Sequence, residues 1–299
     1  MSASSLQLPI EKMKGISFVS PSRPFTDNPM KSLNAIGTDW IAVIPFAFTP
    51  SGEPNVYFNR KRQWWGERPE GTVEIIKLAQ EANIKVLLKP QVWMRGNWVG
   101  DMTFDNEEDW KKWETDYSKY ILRFATIADS MNIAAFCIGT EFKLAAQQRE
   151  KYWRGLIKEV KKIYKGKLTY ASNWDAYELI PFWDELDFVG VDAYFPLVES
   201  KTPTVAELKK AWNPTLKKLK KFYQKTGKPI VFTEYGYMSI DGCAYKNWEL
   251  EHKRTEIPVN QLAQANAIEG VFESFWNEEW WGGGFLWKWY PNYLSLIHI

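Results

Sequence analysis

Two short stretches hold the residues best placed to do chemistry. Lys228–Gly236 is Lys-Pro-Ile-Val-Phe-Thr-Glu-Tyr-Gly, and Ala134–Glu141 is Ala-Ala-Phe-Cys-Ile-Gly-Thr-Glu. Each is an apolar run without alternation, the pattern of a strand buried in a parallel sheet. Each carries a carboxylate at its C-terminal end, Glu234 in the first and Glu141 in the second. Cleaving a glycosidic bond needs one carboxylic acid to protonate the leaving oxygen. It also needs one carboxylate to attack the anomeric carbon or to activate water. A salt bridge closing each strand would account for either glutamate alone, but less well for both on matched strands.

The elements around these stretches must bring the two carboxylates together. Apolar strand patterns recur at Met13–Phe18, Asp39–Phe46, Asn83–Pro90, Ala134–Thr140, Lys167–Ala171, Glu185–Asp192, Gly227–Glu234 and Gly282–Lys288. Helical spacing separates most of them, at Pro29–Ile36, Thr72–Ala82, Asn106–Met131, Arg149–Tyr164, Thr204–Thr226 and Asn260–Asn277. This alternation predicts a parallel sheet. Eight units in 299 residues predict one (β/α)8 TIM barrel, which typically needs about 250 residues. No Gly-rich phosphate fingerprint follows the first strand, which argues against a doubly wound sheet. In such a barrel the site lies at the C-terminal ends of the strands, and Glu141 and Glu234 close the fourth and seventh.

The expected organisation is a single catalytic barrel over residues 1–293. The final six residues, Leu-Ser-Leu-Ile-His-Ile, read as a non-native tail over 294–299. The expectation is a chain truncated before the helix that would follow strand eight.

Composition narrows the function classes. Charged residues are 25% and hydrophobic residues 45%, ordinary for a globular chain. A net charge of +2 asks for no nucleic acid or acidic partner. The lysines of 209–228 alternate with Leu216, Leu219 and Phe222 at helical spacing, which describes a solvated helix face. No run is long and apolar enough for a membrane span. No apolar leader is visible at the N-terminus, so compartment is unknown from the sequence, although a polysaccharide substrate favours a secreted or periplasmic enzyme. Two cysteines and two histidines show no metal spacing, so neither metal nor organic cofactor is expected. Cys137 is expected to be a small buried hydrophobe. The expected state is a monomer.

The seventeen tryptophans and fourteen tyrosines stand out. Flat apolar rings stack on sugar rings, so many of these aromatics are expected to line a wet groove. The strand ends add Lys89, Gln91 and Trp93 after strand three, and Asn173 after strand five. Strand six is followed by Tyr194, and strand eight ends in Trp287 and Lys288. Two long loops, Thr49–Pro69 and Gln91–Phe104, hold Trp64, Trp65 and Trp98; loops this long are usually functional. Trp276, Trp280, Trp281 and Trp289 also fall near strand ends, whereas Trp110 and Trp113 sit at helical spacing and belong to the core. Trp65, Trp93 and Trp287 are the preferred sugar platforms. Whichever carboxyl serves as the acid needs an apolar or negative neighbourhood, and the one that serves as the anion needs donors, which Tyr194 and Asn173 could supply.

Taken in order, several motifs resemble glycoside hydrolase clan A and, within it, family 113, which contains β-mannanases. They are Phe136-Cys-Ile-Gly-Thr-Glu141, Leu168-Thr-Tyr170 with Asn173, Ala193-Tyr-Phe-Pro196, Val231-Phe-Thr-Glu234 with Met238-Ser239, and Gly284-Phe-Leu-Trp287. The resemblance runs from Lys14 to about Pro291. It implies Glu141 as acid/base, Glu234 as nucleophile, Tyr194 as the nucleophile's support and Trp287 as the floor of the cleavage subsite. It also implies retaining hydrolysis of β-1,4-mannosidic bonds in mannan or manno-oligosaccharides. One departure from the wider clan is Thr140, where the residue before the acid/base is usually an Asn that binds the sugar 2-hydroxyl. Asn173 is the candidate replacement. A related β-glycosidase on glucan, xylan or galactan and a non-catalytic polysaccharide-binding barrel are the alternatives.

Overall fold

Eight strands close into a parallel barrel, each beside its neighbours in chain order and the last beside the first. The structure, a computed structural model, describes residues 11–291. The expectations about the 294–299 tail and a missing last helix lie outside the described residues. The barrel strands are β1 (Met13–Phe18), β2 (Trp40–Val43), β4 (Lys85–Leu88), β6 (Ala135–Thr140), β7 (Lys167–Asn173), β8 (Val189–Asp192), β9 (Ile230–Tyr235) and β10 (Trp281–Trp289). The helices between them are α1 (Lys31–Ala35), α2 (Pro69–Glu81), α3 (Glu107–Ser130), α4 (Lys143–Gln148), α5 (Glu150–Ile163), α6 (Val205–Thr226), α7 (Asn247–Leu250) and α8 (Gln261–Phe275). This is the (β/α)8 TIM barrel that the strand and helix patterns predict.

Local chemistry sets the helix limits. Asn106 caps α3 by accepting from the Asp109 amide at 2.9 Å. Thr204 and Glu207 form a capping box at the start of α6, and Gly227, at φ 64°, ends it in the left-handed region. Along the lysine-rich α6 the buried residues are Leu208, Trp212, Leu219 and Phe222. The lysines occupy the opposite, solvated face.

Two departures from the sequence reading matter for the site. The strand expected over Asp39–Phe46 breaks at Ile44 and Pro45, and the chain resumes as β3 (Phe46–Thr49). Proline has no N–H for a continuing ladder, so the break falls there. The loop expected over Gln91–Phe104 begins with β5 (Gln91–Met94), for the same reason at Pro90. β3 and β5 pair in parallel, Phe46 opposite Gln91 and Phe48 opposite Trp93, as a two-stranded extension beyond the barrel strands β2 and β4.

The second departure is the place of the aromatics. Eight of the seventeen tryptophans are buried: Trp40, Trp110, Trp113, Trp153, Trp183, Trp212, Trp280 and Trp281. Trp113 and Trp153 fill the layer between barrel and helices, where Trp113 stacks on Tyr117 at 4.8 Å and Trp153 on Phe182 at 5.7 Å. A wide barrel-to-helix layer is closed by large side chains, so the core claims more rings than a groove does. Inside the barrel a separate cluster includes Trp40, Ala42, Leu87, Cys137, Val231 and Phe285. Cys137 is buried and free there, as expected. Trp280 and Trp281 enter β10 at its N-terminal end, with Trp281 opposite Ile230, the first residue of β9. They, and Trp276 just before them, therefore lie at the end of the barrel away from the strands' C-termini.

Candidate active site

Because all eight strands are parallel, their C-terminal ends meet at one mouth. Glu141 follows the last residue of β6, and its amide donates to the Ala171 carbonyl at 2.8 Å. Its φ of 58° is a left-handed conformation that a side chain adopts only when the surroundings enforce it. Glu234 is the fifth residue of β9, in register with Asp192 of β8, and is 6% exposed. Both carboxylates line one cavity of about 660 Å3, together with Trp98, Asn173, Tyr194 and Trp287. The sequence-predicted residues Glu141, Glu234, Trp98, Asn173, Tyr194 and Trp287 are thus brought together.

Three donors converge on Glu234. The Lys89 ammonium donates to Oε1 at 2.5 Å, and the Gln91 amide donates to the same oxygen at 2.7 Å. The Tyr194 hydroxyl donates to Oε2 at 2.9 Å. Burial, and then the charges of Glu234 and Asp192, push the Tyr194 phenol well above its ordinary value, so it stays a donor.

Lys89 does not reach the cavity surface. It is fully buried, and its ammonium also donates to Asp192 at 3.1 Å and 3.3 Å. Burial works against that charge, but Asp192 and Glu234 outweigh it and hold the ammonium above the usual lysine value. A strand-end lysine can hydrogen-bond a sugar hydroxyl or pair with carboxylates inside the barrel, and Lys89 does the second: it is corrected from a sugar contact to the ion-pair partner of Glu234 and Asp192. Asp192, held in turn by Thr233 at 2.7 Å, is the residue the sequence reading left without a role. The available signal was a buried Asp at the end of a strand facing a buried Lys, since neither is buried without a partner.

Glu141 has different surroundings. Trp98 Nε1 donates to its Oε2 at 2.9 Å. Burial, followed by the negative charge of Glu234, pushes the Glu141 carboxyl up to about 7, with Trp98 and Lys89 pulling the other way. One carboxyl kept protonated near neutrality beside another gripped by donors is the division of labour that acid-assisted displacement needs.

The other expected residues are placed as follows. Asn173 lines the cavity and donates to Asp175 at 3.0 Å, while Asp175 also pairs with Lys143 at 2.6 Å. The Lys288 ammonium lies over the rings of Trp287, at 4.8 Å, and Tyr290, at 5.6 Å. Trp65 is placed away from the glutamates. Its indole donates to Glu74 at 2.5 Å and stacks under Arg68, which spends its face and its N–H locally. Trp93 lines a different cavity, with Phe48 and Tyr57. Trp174, which the strand-five pattern places at the mouth beside Asn173, stacks on Trp248 at 5.7 Å and 24°, and the two form a cavity wall of which sequence reasoning missed Trp248. Trp248 lies on α7, in a segment with no strand-end signal. Among the described residues, no three His, Cys, Asp or Glu side chains are placed to hold a metal ion.

The chain matches the sequence profile of Glycoside Hydrolase Family 113 over residues 22–296. Among solved structures it is similar to a family 113 β-1,4-mannanase, described as a complex structure, at 27% identity. That match covers 96% of this chain and 91% of the other, with a TM-score of 0.80. It is also similar to the family 113 β-mannanase from Alicyclobacillus acidocaldarius in complex with ManMIm. There the identity is 25%, the coverage 96% and 90%, and the TM-score 0.82. A β-glucuronidase from Ruminococcus gnavus shares the fold alone, at 16% identity and a TM-score of 0.63, over 94% of this chain and 43% of that one. No curated protein matches the chain.

Proposed function

The chain belongs to glycoside hydrolase family 113, and from that premise we propose that it cleaves β-1,4-mannosidic bonds in mannan or manno-oligosaccharides with retention of configuration. The observation that carries the reading is the asymmetry of the two carboxyls on one cavity. Lys89, Gln91 and Tyr194 all donate to Glu234, whereas Glu141 is pushed up to about 7. Mannan is supported by the mannanase descriptions of the family 113 structures.

In the first step Glu234 attacks the anomeric carbon, and the glycosidic C–O bond breaks. Glu141 gives its proton to the departing oxygen. In the second step Glu141, now a carboxylate, takes a proton from water, and that oxygen displaces Glu234 from the glycosyl ester. Trp98 holds the acid through its indole N–H, and Lys89, anchored by Asp192, fixes the orientation of the nucleophile. Asn173 faces the 2-hydroxyl, the position usually served by the residue that is Thr140 here. Trp287 is the floor under the sugar. Retention requires the two carboxyls to stand about 5–5.5 Å apart, rather than the wider separation that admits a water between them.

The test is to incubate the protein with mannotetraose and cellotetraose and to follow product sizes and anomeric configuration by NMR. Faster release from mannotetraose, with β-configured product appearing first, is expected. Glu234→Ala should be inactive and, with azide, should yield the α-glycosyl azide. Activity retained by Glu234→Ala, or an initial α-product from the native protein, overturns the mechanism.

A further inference from the structure

A second cavity, of about 540 Å3, opens on the β3–β5 extension, and the chemistry described so far makes no use of it. Its wall is Trp93 and Phe48, whose rings lie 5.6 Å apart. Phe48 exchanges two 2.8 Å backbone hydrogen bonds with Tyr57, which fixes a third ring there. The Arg60 guanidinium lies over Tyr57 at 4.5 Å, and Gln63 and Glu67 complete the polar part of the lining. Trp93 is 55% exposed, a large flat apolar face presented to water. The volume is within the range that holds a small ligand, and flat rings with a few hydrogen-bonding side chains suit a neutral sugar.

The register ties this cavity to the chemistry. Gln91 and Trp93 are two residues apart on β5, so their side chains leave the same face. Gln91 reaches Glu234, and Trp93 stands roughly 7 Å farther out along the same strand. In a displacement by Glu234 the nucleophile lies under the donor sugar, and the acid lies beside the leaving oxygen. Groups leading outward from Glu234 through Gln91 therefore lead along the donor side. Those leading from Glu141 toward Trp174 lead along the leaving-group side.

We propose that the Trp93 cavity is a remote sugar-binding site that holds a donor-side unit of the same polysaccharide chain, at least one unit beyond the sugar on Glu234. The proposal rests on the mannanase reading for the identity of the sugar, and on the β5 geometry for its place. Its consequence is chain-length dependence: substrates long enough to reach Trp93 are bound by one more ring contact than short ones.

The experiment compares kcat/KM of the native chain, Trp93→Ala and Trp93→Phe on β-1,4-mannotriose through mannohexaose, with the cello-oligosaccharides as a second series. For the native chain kcat/KM is expected to rise with length. In Trp93→Ala the hexaose-to-triose ratio should fall about tenfold, equivalent to about 1.4 kcal/mol of binding. Trp93→Phe, which keeps a flat ring, should restore most of it. An equal loss at every length, or no loss at any, overturns the proposal. Turnover confined to the cello series overturns the mannan reading, while its length dependence still decides for or against the Trp93 site. No turnover of either series by the native chain overturns both.

Discussion

Glu141 carries the clearest dependence on pH. Its carboxyl, pushed up to about 7 by burial and by Glu234, must be protonated to act as the acid. Activity should therefore fall as pH rises through about 7, and Glu141→Gln should abolish that limb of the profile. The same variant should lose about 10²–10⁴ in rate on natural substrates, the usual contribution of a general acid. It should keep far more of its rate on aryl glycosides whose leaving group needs no proton. The Trp98 N–H favours the ionised form, so removing it with Trp98→Phe raises the acid's pKa. The alkaline limb should then move to higher pH, as a pH profile of kcat/KM would record. These residues were legible to different degrees. Glu141 and Glu234 announced themselves as carboxylates ending apolar runs. Lys89 was visible, but its direction was not, because a strand-end lysine can point into the barrel or over its rim.

At the scale of elements, the site depends on how closely β7 and β8 approach. A Cβ on Gly190 would stand 2.4 Å from the Tyr170 backbone carbonyl oxygen, which is shared backbone and cannot swing aside. Gly190→Ala should therefore cost roughly 1–3 kcal/mol of stability, the usual range for overpacking. It should also lower activity, since β7 and β8 lead to Asn173 and Asp192. Thermal unfolding and kcat measured on the same preparation check both effects. The barrel strands were legible as apolar runs, with ends correct to a few residues. The β3–β5 pair was not, because each strand has four residues and follows a proline. That reads locally as a loop, and only pairing across forty-five residues of chain makes it a sheet.

At the scale of the whole molecule, Lys89, Asp192 and Glu234 join β9 to β8 and to the segment after β4 from inside the barrel. Lys89→Met leaves buried carboxylates without their cation. It should destabilise the fold by about 3–5 kcal/mol, the penalty for breaking a buried pair, as denaturant titration would show. It should also release Glu234 from one of its three donors and lower kcat. By itself the sequence determined the number of barrel strands, their parallel sense and the two that end in glutamate, because burial on both faces imposes an apolar run wherever it occurs. It also determined the aromatic supply. Only the tertiary structure decided which aromatics went to the core and which to the cavities, that Trp65 turned away, that Trp248 came to stack on Trp174, and that Lys89 pointed inward. Those outcomes depend on contacts between residues far apart in the chain, and neither local propensity nor spacing encodes which distant side chain will occupy the space.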